Sequence, residues 1–245
     1  MAAWPRGYGH LPLGRVTSVL DEAARRRGEL TGPTWISARA QTEARGRRGR
    51  PWANPEGNFA AALVLPDPGD PARAALRSFV AALALHDALA TLTGRPEALA
   101  LKWPNDVLLN GGKIAGILLE GLSPSGLAIG IGVNLAAAPG TGQVEPEALA
   151  PVSLAGETGL AVTPEDFLET LAPAYAAREA QVFTYGFAPI RSAWLARAAR
   201  IGQPLTARLP GETVTGTFRD VDEAGRLVLS TPHGTRRIAA GDIFF

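Results

Sequence analysis

The segment of residues 98–121, ALALKWPNDVLLNGGKIAGILLEG, contains three apolar runs separated by two short breaks. Short apolar runs bounded by turn residues are typical of buried strands. The second break, Asn110-Gly111-Gly112, consists of residues that tolerate the positive φ angles of a tight hairpin turn. The segment therefore predicts one strand followed by a β-hairpin, which together indicate that this part of the chain forms a β-sheet.

Polar side chains are concentrated at the first break of this segment. Pro104 fixes the chain directly after a strand and forces Trp103 into an extended conformation, which presents Asn105 and Asp106 at the strand's edge. Lys113 opens the returning strand, so its ammonium can reach the same place. A carboxylate, an amide and an ammonium that converge suit a nucleotide phosphate with its metal ion. A capped turn with a surface lysine is the alternative.

Both lysines of the chain lie in this segment. Lys and Arg total 24, yet lysine occurs only at Lys102 and Lys113. Arginine is a planar fork that is always charged, whereas lysine is a compact point charge on a flexible stem. One interpretation is that this rare residue occurs twice in the segment by chance. The other is that both positions require an ammonium group, as binding of a phosphate would.

The stretch of residues 44–52, ARGRRGRPW, is called the Arg/Gly loop below. Arginine side chains bind phosphate through two parallel hydrogen bonds, and Gly46 and Gly49 permit turns in which successive amides face an anion. Trp52 offers a flat face for an adenine ring or an acyl group. We expect a mobile loop that orders over a small anion. A solvated charged loop and a nucleic-acid-binding arm are the alternatives.

Helices are predicted from apolar periodicity and cap residues. Thr17 or Ser18 can cap the first helix, and Thr163 with Asp166 forms a capping box for the third. The helices are predicted within residues 16–30, 71–94 and 163–183, and a further helix is predicted to end near Arg200.

Additional strands are predicted within residues 33–39, 58–66 and 126–136. Gly130 and Gly132 alternate in the last of these, so both face one side, where a ligand or another backbone can approach closely. Residues 139–151 are predicted to form a loop. From residue 201 onward, apolar and polar residues alternate between frequent turn signals, which predicts a small antiparallel barrel and a domain boundary near residue 200.

Composition limits the classes of function. The chain has 245 residues, 46% hydrophobic and 19% charged, which suits a sizeable core. It has no Cys, so disulfides, thiolate zinc sites and a catalytic Cys are excluded, and its three His residues show no metal-ligand spacing. No apolar run reaches the ~20 residues that span a bilayer, and the N-terminus lacks a secretory signal, so we expect a cytoplasmic protein. The net charge of +1 weakens the nucleic-acid interpretation.

Three motifs in order, RGRRGRPW, KWPNDVLLNGGKIAGILLE and GIGVNL, followed by the predicted barrel, resemble a bacterial biotin protein ligase. The resemblance runs from Val16 to the C-terminus and is to the short class, without an N-terminal DNA-binding domain. It implies an α+β fold: a mixed sheet with flanking helices, related to class II aminoacyl-tRNA synthetases, plus a small SH3-like C-terminal β-barrel. The implied domains are a catalytic domain, residues 1–200, and the barrel, residues 201–245.

The resemblance also implies the reaction and its residues. Mg²⁺ and ATP would activate biotin to biotinyl-5′-AMP, and the biotin would pass to a lysine of a biotin carboxyl carrier protein. Lys113, Arg47 and Asp106 would be catalytic, with Asp106 a candidate Mg²⁺ ligand. The implied biotin-binding residues are Ser18, Gln41, Arg45, Gly46, Arg47, Lys113, Gly116, Leu118, Gly130 and Gly132, and the implied ATP-binding residues are Arg47, Arg50, Trp52, Asn105, Lys113 and Asn134.

Two positions depart from the family's pattern. Ser18-Val19-Leu20 stands where the family usually has Ser-Thr-Asn, whose hydroxyls bind the ureido ring of biotin. A buried ureido group without a partner costs about 1–3 kcal/mol, which predicts weaker biotin binding or other partners. Ala44 replaces the usual glycine before the first loop arginine, which predicts backbone strain there if that position needs a positive φ.

Three alternative functions remain open from the sequence. A lipoate or octanoate ligase of the same superfamily is compatible with it, although forms that use a cysteine thioester are excluded because there is no Cys. A nucleic-acid-binding regulator would use the Arg/Gly loop and the barrel, and its binding would depend strongly on salt. The third alternative is a ligase fold that has lost its activity. We expect a monomer or a weak homodimer.

Overall fold

The computed structural model of the chain describes residues 3–140 and 149–245. Seven strands form the first sheet: β1 Gly9–Val16, β2 Thr34–Gln41, β3 Phe59–Leu65, β4 Leu99–Lys102, β5 Asp106–Leu109, β6 Gly112–Gly121 and β7 Leu127–Val133. Their spatial order is β1-β2-β3-β7-β6-β5-β4. The pair β1–β2 is parallel and every other pair is antiparallel, so the sheet is mixed, as predicted.

The hairpin of residues 106–121 is confirmed. Asn110 and Gly111 both adopt positive φ, 50° and 84°, between β5 and β6. This is the backbone geometry that lets a two-residue turn match the twist of its strands. The hairpin therefore places β5 beside β6, and β6 pairs on its other side with β7, the central strand of the sheet.

Strand β1 was not predicted. Its sequence, GHLPLGRV, contains two glycines and a proline, which are signals of a loop, and its residues are only partly buried or exposed. It forms because β2, about twenty residues later in the chain, supplies a parallel ladder from Gly9↔Thr34 to Val16↔Gln41. Nonlocal pairing therefore overrides weak local propensity at this edge of the sheet.

Six helices flank the sheets in the described residues: α1 Val19–Arg26, α2 Pro71–Ala75, α3 Arg77–Thr93, α4 Leu154–Thr158, α5 Pro164–Tyr185 and α6 Ala188–Leu195. Ser18, rather than Thr17, caps α1, and Thr163 caps α5 as predicted. The predicted helix of residues 71–94 is two helices, since Leu76 ends α2. The helix predicted to end near Arg200 ends at Leu195.

Helix α3 lies in the core of the molecule. In the part of the chain that the structure describes, only the stretch Pro71–Thr93 is long and apolar enough to cross a membrane. Most of α3 from Phe79 to Leu89 is buried, and its side chains belong to the main hydrophobic core. Its composition is therefore that of a helix buried inside a folded protein.

The C-terminal segment forms a second sheet. Its strands are β8 Pro204–Leu209, β9 Glu212–Val221, β10 Leu227–Thr231, β11 Gly234–Ile238 and β12 Asp242–Phe244, in the order β11-β10-β9-β8-β12, all antiparallel. This confirms the small antiparallel unit predicted from residue 201. Trp103 donates a 3.0 Å hydrogen bond from Nε1 to the Gly225 carbonyl, and one hydrophobic core includes side chains from both sheets. The second sheet therefore packs beside the hairpin segment.

Candidate functional site

A cavity of 410 Å³ lies between the face of the first sheet, the Arg/Gly loop and strand β12. All of the residues predicted for the site line it. They are Ser18, Gln41, Arg45, Gly46, Arg47, Arg50, Trp52, Asn105, Asp106, Lys113, Gly116, Leu118, Gly130, Gly132 and Asn134. The predicted residues are therefore gathered in one place, and their roles toward a ligand remain predictions.

Glycines form a flat floor in this cavity. Gly116 of β6 lies directly opposite Gly132 of β7, and the next pair on the same face is Leu118 and Gly130. The indole of Trp52 covers the first pair: a Cβ placed on Gly132 would lie 2.5 Å from the indole Nε1, and one on Gly116 would lie 3.1 Å from Cζ3. Only glycine permits so close an approach to the strands.

A β-bulge brings Lys113 onto the face of this floor. Asp106 pairs with Gly116 and Val107 with Ala115, but Leu108 then pairs with Lys113, so one residue of β6 is skipped. Because side chains alternate along a strand, a bulge moves the following side chains to the opposite face. Lys113 consequently points to the side of Asp106 and Gly116.

Asp106 lies between the two lysines. Lys113 Nζ is 2.7 Å from Asp106 Oδ1, and Lys102 Nζ is 4.0 Å from Asp106 Oδ2. Lys102, whose side chain is only 13% exposed, pairs across the strands with Asp106 and also lines the cavity. Burial lowers the pKa of Lys102, and the attraction of Asp106 offsets this in part. The predicted convergence of Asp106 with the ammonium group of Lys113 is therefore observed, and Lys102 adds a second ammonium group beside the same carboxylate.

The four loop arginines are held in different ways. Arg45 makes two hydrogen bonds to the Glu120 carboxylate, of 3.0 and 2.9 Å, and a 2.8 Å bond to Asp21. These contacts, chiefly the one with Glu120, raise the pKa of Arg45. Arg47 donates to the Gly241 carbonyl at 3.1 Å, and burial lowers its pKa. Arg48 and Arg50 both contact Asp242.

The backbone of the Arg/Gly loop closes on itself. Gly46 N donates to the Arg50 carbonyl at 2.7 Å, and Trp52 N donates to the Ala44 carbonyl at 2.9 Å. The strain predicted at Ala44 is absent, because the positive φ in the loop occurs at Arg48, 58°, and at Gly49, 72°. Residue 44 therefore does not need the positive φ that would favour glycine.

Ser18 and Gln41 fix the start of α1. Ser18 Oγ accepts a 3.1 Å hydrogen bond from Leu20 N, and Gln41 Oε1 accepts a 2.8 Å bond from Val19 N. Val19 and Leu20, which stand where the family usually has Thr and Asn, are buried, and Leu20 packs against Gly130. This end of the cavity is therefore more apolar than a Ser-Thr-Asn sequence would make it.

The two predicted asparagines are bound to the backbone. Asn105 Nδ2 donates to the Ile117 carbonyl, and Asn134 Nδ2 donates to the Val152 carbonyl at 3.0 Å. Asn134 also contacts Asn58, and it is almost fully buried. Both residues stabilise the cavity wall through these hydrogen bonds.

A metal ion at this site would be held mainly by a substrate. Within residues 3–140 and 149–245, no three His, Cys, Asp or Glu side chains are grouped so that they could hold one. Mg²⁺ commonly binds one or two carboxylates together with substrate phosphates. Asp106 and the Asn105 amide oxygen fit a Mg²⁺ ion that arrives with a nucleotide.

Several residues of the cavity were missed in the sequence. Asp242, Ile243 and Phe244 reach the cavity from β12, about two hundred residues from the Arg/Gly loop. Glu120 does not line the cavity but binds Arg45 of the loop; it lies near the end of the apolar strand β6, and no spacing in the sequence relates it to the loop. In the sequence, Asp242 is a single acidic residue beside apolar residues, in GDIFF. This pattern is too common in proteins to identify a functional site.

Comparison with known proteins identifies the family. The model of the biotin/lipoate A/B protein ligase family matches residues 13–135, and that of the biotin protein ligase C-terminal domain matches residues 201–245. The chain is 54% identical to a biotin–[acetyl-CoA-carboxylase] ligase of Paracoccus denitrificans, over 95% of this chain and 99% of the relative. The chain belongs to the biotin/lipoate A/B protein ligase family. The predicted resemblance is therefore confirmed.

Two further comparisons extend this result. The ligase is 35% identical to a biotin–[acetyl-CoA-carboxylase] ligase of Mycobacterium tuberculosis, over 85% of this chain and 77% of the relative. Its fold is similar to that of the biotin protein ligase from Aquifex aeolicus in complex with biotin and ATP, with a TM-score of 0.82 and 24% identity over 96% and 97% of the two chains. The predicted mixed sheet with flanking helices and C-terminal β domain is confirmed.

Proposed function

We propose that the protein is an ATP-dependent biotin protein ligase. It joins biotin to AMP, releases pyrophosphate, and transfers the biotinyl group to a lysine of a biotin carboxyl carrier protein. The observation that carries this proposal is the juxtaposition of Lys113, Asp106 and the Arg/Gly loop over the Gly116–Gly132 floor. The identity to a ligase of this activity supports it.

The first step brings two anions together. An oxygen of the biotin carboxylate attacks the α-phosphorus of ATP, and the bond from that phosphorus to the pyrophosphate oxygen breaks. Lys113 and Arg47 neutralise the charge that accumulates on the carboxylate and the phosphate, and the rigid strand that carries Lys113 keeps its ammonium in place. Binding of these anions replaces the contact of Lys113 with Asp106.

Mg²⁺ bound through the ATP phosphates would neutralise the charge of the departing pyrophosphate. Asp106 and Asn105 would hold this ion from the protein side. Lys102 lies 4.0 Å from the same carboxylate, so its ammonium is a further cation at the polar centre.

The second step needs a neutral acceptor amine. The acceptor lysine attacks the carbonyl carbon of the mixed anhydride, an amide bond forms, and AMP leaves. Asp106 is the carboxylate of the polar centre that can take the proton from the acceptor ammonium. The Arg/Gly loop covers the cavity and keeps water from the anhydride between the two steps.

The proposal also covers the acceptor, the location of the reaction, the oligomeric state and the domain boundaries. The acceptor is a biotin carrier domain, the reaction is cytoplasmic, and the ligase acts as a monomer or weak homodimer. Residues 1–200 form the catalytic domain and residues 201–245 the barrel. A role as a nucleic-acid-binding regulator is disfavoured, because Arg45, Arg48 and Arg50 already pair with carboxylates instead of forming an open basic patch.

A direct test detects the intermediate. The protein is incubated with Mg²⁺ and ATP and with either biotin or lipoate, and the adenylates are measured by mass spectrometry. Biotinyl-5′-AMP is expected. Lipoyl-AMP alone would assign the chain to the lipoate branch, and neither adenylate would indicate a fold without ligase activity. A biotin carrier domain and its variant with arginine at the acceptor lysine then separate transfer from activation.

A further inference from the structure

The C-terminal sheet binds three of the four loop arginines through two adjacent residues. Asp242 Oδ2 accepts from Arg48 Nη1 at 2.6 Å and from Arg50 Nη2 at 2.7 Å, and the Gly241 carbonyl accepts from Arg47. The Asp242 side chain is 10% exposed, whereas those of Arg48 and Arg50 are 43% and 41% exposed. A nearly buried carboxylate on one sheet is therefore paired with exposed cations of a loop on the other.

Arg48, which binds Asp242, has an unusual backbone conformation. Arg48 has φ 58° and ψ 27°, the left-handed region that a residue with a Cβ rarely occupies. Such a conformation persists where surrounding contacts hold it. The side chain of Arg48 forms an ion pair with Asp242, and the opposite end of the loop is fixed separately by Arg45, which binds Glu120 and Asp21.

We propose that Asp242 is a positioning residue that holds the Arg/Gly loop over the cavity from the C-terminal sheet. By binding Arg48 and Arg50 it fixes the segment between them and Arg47, whose guanidinium lines the cavity beside Asp106. Loss of the carboxylate charge removes the partner that Arg48 and Arg50 share, beside the third guanidinium group of Arg47, so the loop opens. Retention of an acyl-adenylate by the closed loop rests on the proposed function, whereas closure of the loop itself does not.

Limited proteolysis with trypsin tests loop closure on the free protein. The bonds after Arg45, Arg47 and Arg48 are substrates, and cleavage of a folded protein reports the population of the open form. Asp242→Asn is expected to raise the rate at these bonds by about tenfold or more, while Asp242→Glu restores it to within about threefold of the wild type. Mass spectrometry of the fragments assigns each cut.

Asp220→Asn is the matched control. Asp220 of β9 pairs with Arg191 of α6, so this variant also removes an ion pair between the C-terminal sheet and the rest of the molecule, away from the cavity. Its loop cleavage is expected to match the wild type. Equal cleavage rates in Asp242→Asn and the wild type would overturn the proposal. Equal acceleration in Asp242→Asn and Asp220→Asn would also overturn it, because the loop would then open whenever any ion pair between the C-terminal sheet and the rest of the molecule is lost.

Two further measurements keep the outcome decisive. If Asp242→Asn does not fold, Arg48→Gln removes one partner of Asp242 and is expected to raise cleavage after Arg45 and Arg47 severalfold; unchanged cleavage there would refute the proposal. With biotin, Mg²⁺ and ATP, Asp242→Asn is expected to release adenylate at least fivefold faster than Asp220→Asn. If the wild type forms no adenylate, the proposed function is refuted. The proteolysis result would still decide whether Asp242 positions the loop.

Discussion

Replacement of Gly132 by alanine should displace the indole of Trp52. The new Cβ would lie 2.5 Å from Nε1, 2.6 Å from Cε2 and 2.9 Å from Cζ2 of the indole. Carbon atoms in contact prefer separations of about 3.5–4.0 Å, so the ring must move by about 1 Å. A misplacement of about 1 Å at a reacting site can cost on the order of a hundredfold in rate. We therefore expect Gly132→Ala to reduce adenylate formation by about a hundredfold, or ~2.7 kcal/mol.

Gly116→Ala is the control on the opposite strand. Its Cβ would lie 3.1 Å from Cζ3 and 3.4 Å from Cη2 of the same indole, so a shift of a few tenths of an ångström suffices. Its rate is expected to stay within about tenfold of the wild type. Both variants are assayed by biotin-dependent exchange of pyrophosphate into ATP, with melting temperatures to confirm folding. Equal losses in the two variants, or full activity of Gly132→Ala, would refute the assignment of Trp52 to the site.

Three other predictions concern single side chains. Lys113→Ala should reduce adenylate formation by well over tenfold, which needs only about 1.4 kcal/mol; near-normal AMP release would remove Lys113 from the mechanism. Arg47→Gly should release free biotinyl-AMP, measured by mass after filtration, and wild-type retention would contradict the covering role of the loop. Burial lowers the pKa of Lys102 in the folded protein below its ordinary value of 10.5. Between the lowered pKa and 10.5 the unfolded chain binds more protons than the folded chain, so the free energy of unfolding rises with pH in that range. Lys102→Met should abolish that rise in thermal melts, and an unchanged pH profile would contradict it.

Local patterns were sufficient for much of the fold. The hairpin turn at Asn110-Gly111 and the Thr163 cap depend on residues close in the chain, so the sequence predicts them. The interruption at Leu76 has no proline or glycine to announce it. Strand β1 depends on a ladder with β2, and its own residues favour a loop, so it was missed.

The candidate site divides in the same way. Motif spacing and the resemblance place Asp106 and Lys113 together, but the contact depends on a bulge between β5 and β6 that apolar patterning cannot reveal. Without it, strict alternation would point Lys113 away from Gly116. The loop partners Glu120 and Asp242 come from distant strands, and only the folded chain brings them to the arginines.

The scarcity of lysine has a consequence for the protein's own chemical integrity. An acyl-adenylate reacts with neutral amines, and a ligase is exposed to it at every turnover. The side-chain amines of this chain are those of Lys102, 13% exposed, and Lys113, 30% exposed and paired with Asp106. Its outer surface carries arginine instead, which stays protonated and does not react. Outside the cavity that Lys102 and Lys113 line, this chain therefore offers no side-chain amine to adenylate that a leaking variant releases.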